Sequence, residues 1–150
     1  LQQQKQRGRV RLLGLTTHQR PLAARWAKSG RLDMLMIRYN AAHRGAEREI
    51  FPVTNALGLP VVTFTGLRWG ALLKATPEDP PGFRPPAPVD CYRFCLAHPA
   101  VSVVLAAPAN RSQLEHDLTL LEDWRPPSPE ELARLRAHGD RVRRYAGAFP

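Results

Sequence analysis

The sequence predicts a parallel α/β fold of about four βα units followed by a last helix. Three observations lead there. Short, continuous apolar runs alternate with segments of helical periodicity along the 150 residues. Alternation of strand and helix implies a parallel sheet with right-handed crossovers. The runs are apolar throughout instead of alternating with polar residues, as strands buried on both faces should be. Four such units close part of a barrel or make a small open sheet, and in both cases ligands collect beyond the carboxyl ends of the strands.

The elements follow in order. LQQQKQRG reads as the last turn of a helix, with no initiator Met and no apolar signal region, so the chain is expected to be a fragment. Arg9–Leu15 is the first strand, followed by Thr16, Thr17 and His18. RPLAARWAKSG is a helix with Pro21 tolerated in its first turn and Gly30 as its stop. Leu32–Tyr39 is the second strand, and the helical segment AEREIFPVTNALG after it should kink or split at Pro52. Leu59–Phe64 is the third strand. The Pro- and Gly-rich stretch 75–88 can be neither a helix nor a central strand. VDCYRFCLAHPA is a helix, and Val101–Leu105 is the fourth strand. Asn110 caps the next helix, and Ser128, Pro129 and Glu131 form a capping box for the last one.

Composition bounds the function. A hydrophobic content of 43% is that of a soluble globular chain. No apolar run reaches the roughly 18 residues a membrane-crossing helix needs. Cys91 and Cys95, four apart, read as two small buried residues on one helix face, too few for a zinc site. So sparse a use of cysteine fits a reducing, cytoplasmic setting. The net charge of +9 invites a nucleic-acid reading. Acids interrupt the arginines in RGAEREI and PEELARLR, however, so a mixed, solvated surface is expected and no specific nucleic-acid partner.

The four strand ends share a character: Thr16, Thr17 and His18; Tyr39 and Asn40; Phe64, Thr65, Gly66, Trp69 and Gly70; Pro108, Asn110, Arg111 and Ser112. Hydroxyls and amides at one rim, glycines for close backbone approach and a helix N-terminus for an anion suit a phosphate-bearing cofactor, with Phe64 offering a ring face to a planar heterocycle. Among the histidines, His98 is expected to cap a helix end, and His116 and His138 to lie on helix surfaces. His18 and His43, in strand-end loops, are the two candidates for ligand contact. There is no P-loop, nucleophile elbow or G-x-G-x-x-G.

The motifs R-V-R-L-L-G-L-T-T-H, L-D-M-L-M-I-R-Y-N, L-P-V-V-T-F-T-G-L-R-W-G, C-Y-R-F-C-L-A-H-P-A-V-S-V-V-L and N-R-S-Q-L-E-H-D-L resemble the aldo-keto reductases in order and spacing. The likeness covers roughly residues 1–123, with the last helix as the family's C-terminal helix. It implies that residues 1–150 are a single partial domain, the C-terminal half of a TIM-type (β/α)8 barrel. It also implies a chain that works in reducing aldehydes or ketones, or in the reverse oxidation, with NADPH or NADH, the phosphorylated form being favoured. Thr16 and Thr17 then occupy the positions that hold the nicotinamide carboxamide. Met36 stands where a Gln usually assists, and Phe64 where an aromatic, usually Tyr, stacks on the nicotinamide. Thr65, Gly66, Leu67, Trp69 and Gly70 match the loop along the pyrophosphate, and Gln113 and Asp117 match the helix positions that meet the adenosine. Ala107, Pro108, Ala109 and Asn110 replace the family's Lys-Ser or Gly-x-Ser-Ser run, leaving Arg111 or Arg125 to supply charge for a ribose phosphate.

The family's Asp, Tyr, Lys and His tetrad lies in the other half of the barrel, so no catalytic residue is assigned, and Tyr39, Tyr92 and Tyr145 are not substitutes. The partners expected are a small carbonyl substrate and the missing N-terminal half-barrel, with no membrane. Half a barrel exposes a sheet edge at each end, so these 150 residues alone should aggregate, dimerise or need the other half. Two further readings stand beside the reductase half: a non-catalytic half-barrel that binds a phosphate-containing ligand or a partner protein, and a basic protein associated with nucleic acid.

Overall fold

The computed structural model describes residues 1–145. Four parallel strands lie side by side in sequence order: β1 (Gly14–Thr16), β2 (Met34–Arg38), β3 (Val61–Phe64) and β4 (Val101–Val104). Before, between and after them run α1 (Gln2–Gln6), α2 (Arg20–Ala27), α3 (Ala46–Glu49), α4 (Phe51–Leu57), α5 (Pro88–Leu96), α6 (Arg111–Glu122) and α7 (Pro129–Tyr145).

Register sorts the strand residues into two faces. Leu35, Ile37, Val61, Thr63 and Val101 are buried under the helices. Burying a large apolar side chain of this kind stabilises by about 2 kcal/mol. On the opposite face Thr16, Met36, Val62 and Val103 form one row, with Arg38 and Phe64 paired in the next. That face is half-buried at Met36, Val62 and Phe64 and exposed at Thr16 and Val103. The expectation of strands buried on both faces is therefore corrected. Apolar content marked the helix-covered face, while the other stays only partly buried among the described residues.

Two boundaries also shift. The first strand keeps only its last part, because Arg9–Leu12 are exposed and Leu13 turns its N–H to the Asp33 carboxylate at 2.8 Å. The segment around Pro52 does split: α3 ends at Glu49, and α4 takes Pro52 into its first turn, where a missing N–H costs nothing. Cys91 and Cys95 are buried and free, and burial pushes the Cys91 thiol up to about 12. Beside them Tyr39 meets Phe51 edge-on at 4.9 Å and stacks near Phe94 at 5.7 Å.

The caps read from sequence are present. Asn110 Oδ1 accepts from Gln113 N at 3.0 Å. Ser128 Oγ accepts from Glu131 N, and the Glu131 carboxylate accepts from Ser128 N. His98 Nδ1 accepts from Ala100 N at the end of α5. His138 is a correction: it is fully buried, not on the helix surface. Its Nε2 donates to the Leu72 carbonyl at 3.0 Å, and its Nδ1 lies 3.2 Å from Asp79. Asp79 comes from the 75–88 excursion, which folds back on α7. Burial would raise the Asp79 carboxyl, but hydrogen bonds from Thr76, Arg141 and His138 hold it down at about 2.

Candidate cofactor site at the carboxyl rim

Beyond β3 the chain makes a strained loop. Thr65, Arg68 and Trp69 have φ of 56°, 49° and 50°, a left-handed backbone uncommon outside glycine. Each such residue costs of order 1 kcal/mol and persists only where its surroundings fix it. The fixing groups are visible. Asn40 Nδ2 donates to the Thr65 carbonyl at 2.8 Å, while Asn40 Oδ1 accepts from Ala42 N and His43 N. Arg68 is buried, with its Nε donating to His43 Nε2 at 3.0 Å. A Cβ on Gly66 would stand 3.2 Å from the Tyr92 ring, a tight contact, so the ring packs close against the loop backbone at this residue.

From this loop a groove of about 310 Å³ runs between α5 and α6. Leu67, Leu73, Pro88 and Tyr92 form its apolar wall, and Ser112, Gln113, His116 and Asp117 its polar one. Gln113 Oε1 accepts from Ala109 N at 2.8 Å, so the Asn110 cap and Gln113 together close the 107–110 turn onto α6. Burial raises the Asp117 carboxyl above its ordinary value and pushes the Tyr92 phenol up to about 12.

Solved structures share this architecture. Aldo-keto reductase AKR11C1 from Bacillus halodurans matches in its holo form with a TM-score of 0.71 and 23% identity, over 94% of this chain and 53% of that one. Its apo form matches with the same score and identity, over 54% of that chain. The chain has the fold of half an aldo-keto reductase barrel. It spans about half the length of the structures it matches. No family model and no curated protein matches it.

Within this half-barrel the site residues read from sequence fall into three groups. Thr16, Met36 and Phe64 share the less buried sheet face, where Phe64 meets His18 edge-on at 5.5 Å. Thr17 lines a narrow recess with His18, Arg38 and His43, its Oγ1 accepting from Gln19 N. Leu67, Gln113 and Asp117, some fifty residues apart in sequence, line the α5–α6 groove together with Tyr92. Thr65, Gly66, Trp69 and Gly70 belong to the strained loop, with Trp69 66% exposed. Asn110 does not line the groove, because its side chain is spent on capping α6. Arg111 pairs with Glu115 and Arg125 with Glu131, and neither lines the groove.

Reading the residues one by one placed Asn40 at the rim but not as a brace, and missed Arg68; both hold the loop in shape. Asn40 gave a signal, since a lone amide ending an apolar strand suits a loop brace. Arg68 gave none, because its role depends on a histidine brought in from another loop. The tyrosines are all engaged. The Tyr39 hydroxyl donates to Glu47 at 2.8 Å, and burial first and then this bond drive its pKa far up. The Tyr145 hydroxyl donates to Glu78. Among the described residues no group of His, Cys, Asp or Glu could hold a metal ion, and no helix is long and apolar enough to cross a membrane.

Proposed function

We propose that this chain is the cofactor-binding half of an aldo-keto oxidoreductase, with a nicotinamide dinucleotide laid across the carboxyl rim. The observation that carries the reading is a convergence. Leu67 after β3, Tyr92 on α5 and Gln113 and Asp117 on α6 line one groove, and that groove joins the strained loop through Leu67.

The residues suit such a cofactor part by part. Phe64 presents a half-buried ring for the nicotinamide, and the Thr16 and Thr17 hydroxyls are donors for its carboxamide. Met36 carries no hydrogen-bond donor, so two side chains do the work that three often share. Ser112, in the first turn of the 12-residue α6, lines the groove, and a helix N-terminus there favours phosphate oxygens. The Gln113 amide and the Asp117 carboxylate suit the hydroxyls and amine of an adenosine. The bound cofactor supplies the hydride; the chain orients it and keeps one face of the ring covered by Phe64.

Two refinements follow. Among the described residues no Lys or Arg lines the groove, so no fixed cation there rewards the added charge of a ribose phosphate. We assign NADH as the tighter ligand, against the NADPH preference implied by family resemblance. The proton that a reduced carbonyl requires comes from outside this half-barrel, since the hydroxyls of Tyr39 and Tyr145 are held by carboxylates and Tyr92 sits among groove residues at the α5–α6 end. Turnover on an aldehyde or ketone then needs both barrel halves.

Tryptophan fluorescence of the whole protein, with Trp69 in the strained loop, reads binding directly. NADH should quench saturably and more tightly than NADPH. Phe64→Ala should weaken NADH about tenfold through lost aromatic packing. A signal that rises linearly with either cofactor, with no saturation, overturns the reading.

A further inference from the structure

A second cleft, of about 290 Å³, opens between the start of α2, the loop after β2 and the flank of α7. It shares no lining residue with the α5–α6 groove. We propose that it binds a small molecule bearing a phosphate or pyrophosphate group.

The argument is a charge balance. Arg20 on α2, Arg44 in the loop after β2, Arg48 on α3, and Arg136 and Arg143 on α7 converge on the cleft. Three carboxylates stand near them, and each is already taken. Glu49 accepts from Arg20, Asp140 from Arg44 and Glu47 from Arg136, each at 2.8 Å. Glu47 also accepts from the Tyr39 hydroxyl. Arg48 and Arg143 pair with no carboxylate among the described residues. Behind the cleft wall, the buried Arg68 donates to His43, which lines the cleft. The positive charges of Arg38, Arg68, Arg143 and Arg20 all bear on that imidazole and, after burial, depress its pKa. So many like charges in one recess favour an anion of more than one charge.

The geometry selects the class. Arg44 is fixed by the Ala41 and Arg136 carbonyls as well as by Asp140, so its position is set in advance. The Arg20 guanidinium rests against the bare backbone of Gly45, where an added Cβ would stand 2.7 Å from it and push the side chain aside. Guanidinium forks match phosphate oxygens in pairs. A recess of this size takes a small ligand, whereas a nucleic-acid backbone needs an extended basic track.

Calorimetric titration of inorganic pyrophosphate into the whole protein tests this, with the NMR signals of the His43 ring reporting where the ligand sits. One-to-one binding that shifts the His43 signals is expected. The pair Arg48→Gln and Arg143→Gln removes two exposed cations that hold no other element, and it should weaken binding about tenfold or more while leaving the melting temperature unchanged. The pair Arg25→Gln and Arg31→Gln, exposed and outside the cleft, should leave binding unaltered. The proposal is overturned by any of three results: no saturable binding, equal weakening by both pairs, or binding that leaves His43 undisturbed.

Discussion

His43 concentrates the electrostatics of the rim in one side chain. Its Nε2 accepts from Arg68, which requires a neutral ring with the proton on Nδ1. Burial and then the arginines around it push its pKa down to about 4. The unfolded chain takes up that proton near 6.5. His43 therefore contributes stability in full above about pH 6.5, and the contribution is lost as pH falls from there toward 4, where the unfolded state holds the extra proton. An NMR titration should place the His43 midpoint near 4, and Arg38→Gln should raise it by removing one of the crowding charges. A midpoint at the ordinary value would show the ring to be solvated. At this scale the sequence was legible where a residue acts on its own neighbours in the chain. Asn110 and Ser128 cap the helices that their spacing announces. It was not legible where the partner is distant. His138, on a charged helix, gives no sign that Asp79 and Leu72 will enclose it.

Among the elements, α7 shows how a polar helix can be fastened without a wide apolar stripe. Two ion pairs tie it down, Arg136 with Glu47 of α3 and Asp140 with Arg44 of the loop after β2, and between them its backbone comes close to that loop. A Cβ on Gly139 would stand 2.2 Å from the Ala41 carbonyl oxygen, with only backbone to yield. Gly139→Ala therefore sets two effects against each other. Helix propensity favours alanine by about 1 kcal/mol. The clash forces α7 away from the loop, and overpacking of that severity costs about 3 kcal/mol or more. The clash wins, so thermal scans should show the variant melting several degrees lower. Element existence was readable from the sequence because apolar runs and punctuation coincide. Pro52 divides α3 from α4, and the 75–88 stretch forms no helix or strand until its last residue, Pro88, which opens α5. Strand length was less readable. Apolar content alone extended β1 back to Arg9, although Arg9 and Arg11 are exposed and only the three residues from Gly14 pair with β2.

For the whole molecule, the pattern of exposure says which surfaces are unfinished. β1 and β4 are the edges of the described sheet, each pairing on one side. Next to the β4 edge, Val103, Leu105, Leu114, Leu118, Leu121 and Trp124 are 44–75% exposed. Several of them line an apolar cleft of about 320 Å³ between β4 and α6. Open edges beside an apolar patch invite pairing with another chain. In the matched reductase, residues beyond the aligned 53% continue the chain, so a complete barrel has material to cover such surfaces. Residues 1–150 on their own should therefore self-associate as concentration rises in sedimentation velocity. Leu118→Lys with Leu121→Lys should reduce that association without lowering the melting temperature, because both side chains are exposed. If the double variant sediments like the unaltered chain, the sheet edges alone drive assembly. A compact monomer at all concentrations, melting in one sharp step, would instead show that four βα units and α7 suffice as a closed folding unit.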